Sequence, residues 1–590
     1  MKQLWINLSN RRRWQFFLVL ILMFIASFAE IMSVGAILPF LAVITDPSQL
    51  YRNSAMQSII QLFDFTEPKE LILPITIVFI VATLIAGAIR LLLLYATTRL
   101  SYGTGHDLSI DLYRRTLYQD YSVHVARNSS EVINGIIVKT STVISGVITP
   151  ILTLISSFII AIGIVGLLCF INFFIAMTAF LGFGLLYIGV IYYTRKKIST
   201  NSETIAQKST SMVKALQEGL MGIRDVIIHD SQEFYSRVYR EADLPLRRAS
   251  GDNLFISGCP RFVMESIGMT LIAVIAFFMT QQAGQISNSL PILGVLALGA
   301  QRLLPIMQQA YGAYSVIKGS KSSLDDVNRL LDQPIPKNAG QKLTKPISFL
   351  RNICLENVSF RYSADEPRIL DSINVTLKKG SRIGIIGSTG SGKTTLFDII
   401  IGLFAPTEGQ LKIDGKIIDE FNIRSWRAHI AHVPQDIYLS DNSILENIAF
   451  GVPLEVIDVE RAKKAAKGAQ ICDVIESFDK KYKTLVGEHG IRLSGGQRQR
   501  IGIARALYKQ ADVLIFDEAT SALDIQTENS VVEAIEGLDK ELTILIIAHR
   551  LTTLRNCDDI IEVSDKKIRF TNYEKAVQRA NSLSLKENIN

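Results

Sequence analysis

The chain has 590 residues, 48% of them hydrophobic, and a mean hydropathy of +0.27, which is too long for one core and too apolar for an ordinary soluble protein. Its net charge of +7 is divided among patches between apolar segments and forms no single basic stripe, which excludes a nucleic-acid partner and points to membrane topology. The five cysteines (Cys169, Cys259, Cys354, Cys472, Cys557) are scattered, lack any C-x-x-C or Cys/His spacing, and read as free thiols with no metal site.

A helix needs about 20 apolar residues to cross the hydrocarbon core. Trp14 to Ile44, interrupted only by Glu30, is the first such run, and Leu71 to Thr98, interrupted only by Arg90, is the second. No Asp, Glu, Lys or Arg lies between Lys139 and Arg195, a length that fits two spans joined by a tight turn near Asn172. After Glu265 no charge appears until Arg302, and the polar Gln281-Gln282-Ala283-Gly284-Gln285 separates two further helices, giving six spans.

Lys and Arg collect at the N-terminus (Lys2, Arg11, Arg12, Arg13) and in segments 99–139 and 194–256, which places these on the cytoplasmic side together with both termini. The loops near 172 and 285 carry no charge and face outward. The two cytoplasmic segments have polar and apolar residues at helical spacing and read as long extensions of the spans. Pro47 to Phe63 has Leu50, Met56, Ile59, Ile60 and Phe63 spaced for one apolar face; it is either a short helix on the outer membrane surface or a capped loop.

Composition changes after Val316. The chain divides into a membrane domain over 1–320, a polar linker over 321–345 with Pro334, Pro336 and Gly340, a further domain over 346–575 and a polar tail over 576–590. In the further domain, apolar runs such as Arg382 to Ile386 and Val513 to Phe516 alternate with helical stretches, as in an α/β fold.

The first of these strands runs into Gly387-Ser388-Thr389-Gly390-Ser391-Gly392-Lys393-Thr394-Thr395, which satisfies G-x-x-x-x-G-K-[ST] between a strand and a helix. The glycines let successive backbone N–H groups curl around phosphate oxygens at a helix N-terminus, Lys393 reaches the β- and γ-phosphates, and Thr394 is the expected Mg²⁺ ligand. Val513-Leu514-Ile515-Phe516-Asp517-Glu518 is an apolar strand ending in two carboxylates, which is costly without a cation nearby. Asp517 is expected to hold Mg²⁺, and Glu518 to orient and deprotonate the attacking water. Leu493-Ser494-Gly495-Gly496-Gln497 opens another helix, a second N-terminus suited to phosphate.

With that pentapeptide the chain resembles the ABC transporter superfamily, and Gln435 in Val433-Pro434-Gln435-Asp436, Ser521-Ala522-Leu523-Asp524 and His549 in Ile547-Ala548-His549-Arg550 follow in family order. The resemblance implies that Gln435 serves both the Mg²⁺ site and catalysis, that His549 is the switch histidine, that Tyr362 stacks on adenine, and that Gly487-Glu488-His489-Gly490 is the exporter X-loop. It also implies that Ser494, Gly495, Gly496 and Gln497 close on ATP held by a second chain, so that the polypeptide is half of a transporter, with a homodimer the simplest assembly. Spans ahead of the motor in one chain resemble exporters. The fold class is therefore a multidomain membrane protein, a six-helix all-α transmembrane exporter domain followed by an α/β P-loop ATPase domain.

Arg90, Arg261 and Arg302 fall inside or at the rim of apolar spans, where cations are expensive and face a cavity or a partner. They either line a site for an anionic headgroup or pair internally with Glu30 and Glu265. At about 1.5 Å per helical residue, Arg302 lies roughly 18 Å below Leu290 and Arg90 roughly 28 Å below Leu71, both in the inner half of the bilayer. Glu30 with Leu38-Pro39-Phe40-Leu41, Pro260-Arg261 with Glu265-Ser266-Ile267-Gly268, and Arg302-Leu303 with Pro305 resemble bacterial flippases of lipid-linked oligosaccharides. That resemblance implies an anionic lipid-linked cargo and a place in the bacterial inner membrane; a general lipid, drug or peptide exporter is the alternative.

Overall fold

The computed structural model describes residues 2–45, 47–51, 67–171, 173–281, 286–336, 339–340, 346–517, 533, 537, 541–547 and 551–578. The expected turns at Asn172 and Gln282–Gln285, most of Pro47–Phe63, Glu518, the Ser521–Asp524 segment and His549 lie outside these residues. By contacts the chain forms two units, one of residues 1–119 and 127–336, the other of residues 120–126 and 337–590.

The first unit is helical throughout its described residues. Six of its helices have 23 residues or more: α1 (Asn10–Gly35), α2 (Ile72–Leu117), α3 (Thr149–Ile171), α4 (Phe173–Met221), α5 (Gln232–Gln281) and α6 (Ile286–Gly319). At 46 residues α2 is about 69 Å long, more than twice the ~30 Å hydrocarbon core, so most of its second half projects as an arm. Its first half leaves Leu73, Val78, Leu84 and Leu91 exposed, a face whose natural solvent is lipid. Among the described residues, three stretches are long and apolar enough to cross a membrane: Asn10–Ile44, Pro68–Leu117 and Ser129–Phe170. The other three expected spans fall on α4, α5 and α6, parts of which lie outside the described side chains.

Small buried clusters join these helices pairwise. Val19, Met23 and Ala26 of α1 meet Leu93 and Leu100 of α2 and Leu152 of α3; Ile164 and Leu168 of α3 meet Leu303 and Ile306 of α6. A shorter helix, Lys321–Leu331, buries Leu324, Val327, Leu330 and Leu331 against Leu108 and Leu112 of α2 and against Val143 and Val147. Beside it Lys139, itself buried, pairs with Asp326.

The second unit is α/β. Strands β1 (Asn352–Phe360), β2 (Leu370–Lys378), β4 (Glu408–Ile413) and β5 (Lys416–Ile417) make an antiparallel sheet in the order β2-β1-β4-β5. Strands β3 (Arg382–Ile386), β6 (Ile430–Val433), β7 (Val513–Asp517), β8 (Thr543–Ile547), β9 (Asp559–Ser564) and β10 (Lys567–Thr571) make the second, in the order β10-β9-β3-β8-β7-β6. Its members from β9 to β6 are parallel, and only β10 runs antiparallel. β7 and β8 are buried on both faces, as their unbroken Val/Leu/Ile runs require.

Candidate functional site

Because β3, β6 and β7 run the same way, their carboxyl ends bring Gly387, Gln435 and Asp517 to one edge of the sheet, where ligands of open α/β sheets bind. A Cβ at Gly387 would lie 2.5 Å from the Val563 carbonyl oxygen, so only glycine lets the loop leave β3 this closely packed. Gly392, at φ 103° in the left-handed region, turns the loop into helix Lys393–Ile401. The Lys393 ammonium donates to the carbonyls of Gly387 (2.8 Å) and Ser388 (3.0 Å), bridging the loop's mouth where phosphate oxygens are expected. Thr394 is exposed at the helix start, while Leu396, Phe397, Ile399 and Ile400 anchor the helix in the core. Trp426, fully buried beneath, donates its indole N–H to Ile400 at 2.7 Å.

Tyr362 follows β1. Its hydroxyl is 2.9 Å from Thr395 Oγ1, its ring packs edge-on against Phe360 and Phe404, and half of it is exposed, which leaves a face for a base. Asp517 closes β7. Nearby Asp398, on the loop's helix, has its carboxyl pushed up to about 6, chiefly by burial and then by the charge of Asp517. Two carboxylates crowded in this way carry an excess of negative charge that a divalent cation fits, and Thr394 and Asp517 supply oxygen donors of the kind Mg²⁺ takes. Sequence reasoning missed Asp398; its one signal was a lone carboxylate within the apolar Leu396-Phe397-Asp398-Ile399-Ile400-Ile401.

Ser494 is the N-cap of helix Gly495–Lys509, in a reciprocal box: its hydroxyl accepts from the Gln497 backbone N–H (3.2 Å), and the Gln497 side-chain Oε1 accepts from the Ser494 N–H (2.9 Å). Arg498 donates to the Leu493 carbonyl at 2.9 Å and fixes the approach to the cap. Gly495 has open space around it. Ser494 is exposed, and among the described residues no hydrogen bond joins Ser494–Gln497 to the Gly387–Thr395 loop. The X-loop packs on the segment after Gln435 through His489 and Tyr438, whose rings are 5.9 Å apart.

The segment Asp120–Ala126 belongs with the motor unit rather than with the helices on either side of it. Tyr121 of the short helix Tyr121–Ala126 lies 5.3 Å from the Phe404 ring, which in turn touches Tyr362. Burial, helped by Asp398 and Tyr362, raises the Tyr121 phenol above its ordinary range. Asp120 and Arg427 line the same cavity of about 850 Å³ beside Tyr362. Sequence reasoning gave the cytoplasmic arms a motor contact but did not single out these residues, because nothing in Tyr121–Ala126 departs from its helical surroundings.

Two of the three membrane arginines have acidic partners. Arg90 approaches the buried Glu30 at 3.6 Å, and Arg261 donates to Glu265 at 2.9 Å, one helical turn on, with both of these side chains about half exposed. Arg302 sits on α6, and its side chain lies outside the described set. No described contact joins Arg90 to Arg261.

The family profile described as ABC transporter transmembrane region matches residues 16–298, and the one described as ABC transporter matches residues 370–521. Curated relatives named ATP-dependent lipid A-core flippase include those of Cupriavidus metallidurans (40% identical over 40% of each chain), Ralstonia nicotianae (32% over 60% of each) and Burkholderia pseudomallei (27% over 78% of this chain and 77% of that one). The matched stretch thus spans less than two thirds of the first two relatives. A solved structure of a bacterial Atm1-family ABC exporter with ATP bound has the same fold, with a TM-score of 0.78 at 22% identity, covering 97% of this chain and 96% of that one. A helical transmembrane region fused to an α/β domain carrying the phosphate loop and the Leu493–Gln497 signature makes this chain an integral membrane protein that belongs to the ABC transporters.

Proposed function

We propose that the chain is an ATP-driven exporter that pairs with a second copy of itself and moves an amphipathic, anionic lipid-linked substrate by alternating access. One observation supports the pairing: the signature cap is complete, exposed at Ser494 and joined by no described hydrogen bond to its own chain's phosphate loop, so each ATP would lie between the loop of one copy and Ser494–Gln497 of the other. Lys393 and the loop amides hold the phosphates, Tyr362 holds the base, Glu518 accepts the proton of the attacking water, and Gln435 and His549 orient the γ-phosphate side. Bound at Thr394 and Asp517, Mg²⁺ would supply charge neutralisation on the transferring phosphoryl group. ATP binding closes the paired motors and hydrolysis releases them, so energy enters as a population shift. The chain would lie in a bacterial inner membrane with both termini cytoplasmic.

The half-exposed Arg90 and Arg261 support the anionic cargo, since each guanidinium keeps donors beyond its carboxylate partner. Relatives named for lipid A-core flipping support a lipid. Within that class, lipid-linked oligosaccharide is the more specific reading, and a native mass spectrum of lipids copurifying with the Glu518→Gln protein tests it. A pyrophosphate-linked glycolipid should appear at one per dimer; copurification of neutral or zwitterionic lipids alone would refute the reading.

A further inference from the structure

Helix α5 runs through Pro260, which has no N–H to give to the carbonyl four residues back and whose ring crowds that carbonyl. The orphaned acceptor is Ile256. Pro260 is buried and Ile256 half-buried, whereas at Pro245, in the polar arm of the same helix, the matching residue Glu241 is exposed and water can serve its carbonyl. At Ile256 the strong donor comes from another helix: the Tyr311 hydroxyl of α6 reaches its carbonyl at 3.1 Å, while the Cys259 thiol of α5 itself is a weaker donor at 3.9 Å. Tyr311 is 3% exposed and packs with Tyr187 of α4 and Met264 of α5. The ring centroids of the two tyrosines are 5.6 Å apart, and Thr194 Oγ1 lies 3.5 Å from the Tyr311 hydroxyl. The Tyr187 hydroxyl, also buried, has no hydrogen-bond partner among the described residues. A buried orphan donor calls for an explanation, and here it stands in the cluster that serves the carbonyl Pro260 leaves without a backbone donor.

We propose that Pro260 is a hinge of α5, that Tyr311 is the clasp holding it in the present state, and that Tyr187 holds the hydroxyl that finds a partner when α5 bends the other way. A carbonyl bonded within its own helix is tied to one backbone geometry; one served by a hydroxyl from a neighbouring helix can exchange donors as the helices shift. Because Arg261 and Glu265 directly follow the hinge, its setting also fixes where that ion pair points. Tyr311 is thus a positioning residue. The inference rests on the alternating access of an ABC transporter and on no particular cargo.

The test uses the full-length protein and amide hydrogen exchange of residues 256–265, with and without ATP plus vanadate, together with basal ATPase activity. Tyr311→Phe should raise nucleotide-free exchange there at least five-fold. In the Pro260→Ala background, where residue 260 regains the N–H that Ile256 needs, the same substitution should change exchange less than two-fold. Equal effects in both backgrounds, or none in either, would overturn the clasp. Tyr187→Phe should leave nucleotide-free exchange unchanged or lower it; a rise like that of Tyr311→Phe would mean that the cluster only fills space. Should Tyr311→Phe not fold, Pro260→Ala decides alone: it should keep basal ATPase activity and lose the exchange change on ATP trapping, and retention of that change refutes the hinge.

Discussion

Arg505, on helix Gly495–Lys509, ties the signature helix to the segment that follows Gln435. It donates to the Asn447 carbonyl at 2.9 Å and the Tyr438 carbonyl at 3.0 Å, and lies 4.6 Å over the Phe450 ring. Burial lowers its pKa from 12.5 to about 10. At ~1.4 kcal/mol per unit that is an opposing cost of about 3 kcal/mol. Against it stand two hydrogen bonds from a charged donor at about 1.5–3 kcal/mol each and a cation–π contact of about 0.5–2 kcal/mol. Replacement by Ala removes both sides of this balance but leaves the carbonyl of Asn447, a fully buried residue, without that donor. The net loss should be about 2–3 kcal/mol, which for a domain of this size lowers the melting temperature by roughly 4–12 °C. Calorimetry of full-length Arg505→Ala should show this in the transition that ATP shifts, and Arg505→Lys should recover less than half, because a point charge cannot span both carbonyls. A drop under about 2 °C would refute the reasoning.

Lys393→Ala removes the charged donor that spans the mouth of the phosphate loop and should weaken ATP binding by about 100-fold or more, ~3 kcal/mol, in titration calorimetry, with melting of the membrane unit unchanged. Asp398 has a folded pKa near 6 against ~3.9 unfolded, so its contribution is fully favourable below about pH 4 and is lost as pH rises through 6. His432, which burial lowers to about 4, has the opposite slope, its stability being lost as pH falls from ~6.5. The difference between nucleotide-free wild type and Asp398→Asn isolates the carboxyl: between pH 4.5 and 7.5 the variant should gain on wild type as pH rises, and parallel curves would contradict the burial. Mixing wild-type with Ser494→Arg chains should lower ATPase activity more than dilution does; strict proportionality would argue for independent monomers.

The loop and the capped helix of the candidate site were legible because their structure is local: Gly387 to Thr395 is a glycine-rich turn from a strand into a helix within nine residues, and Ser494 caps a helix with Gln497 three residues on. What escaped were pairings across sequence. Tyr121 reaches Phe404, and Tyr311 reaches Ile256, through folding alone. Pro260 was visible as a break, but which side chain repairs it depends on which helix packs there. For the arginines, the sequence left open cavity lining or pairing with Glu30 and Glu265; both pairs form, and because the guanidiniums stay half exposed, pairing does not remove them from solvent-facing chemistry.

The most direct test is flipping in proteoliposomes containing the purified protein, read as the protection of a pyrophosphate-linked glycolipid from an external modifying enzyme. Wild-type protein with Mg-ATP should translocate it, Glu518→Gln should bind ATP without translocation, and the triple Arg90, Arg261 and Arg302 to Ala variant should hydrolyse ATP at near its basal rate while losing translocation. Flipping by the Glu518→Gln protein, or undiminished flipping by the arginine variant, would contradict an ATP-driven carrier that grips an anionic headgroup.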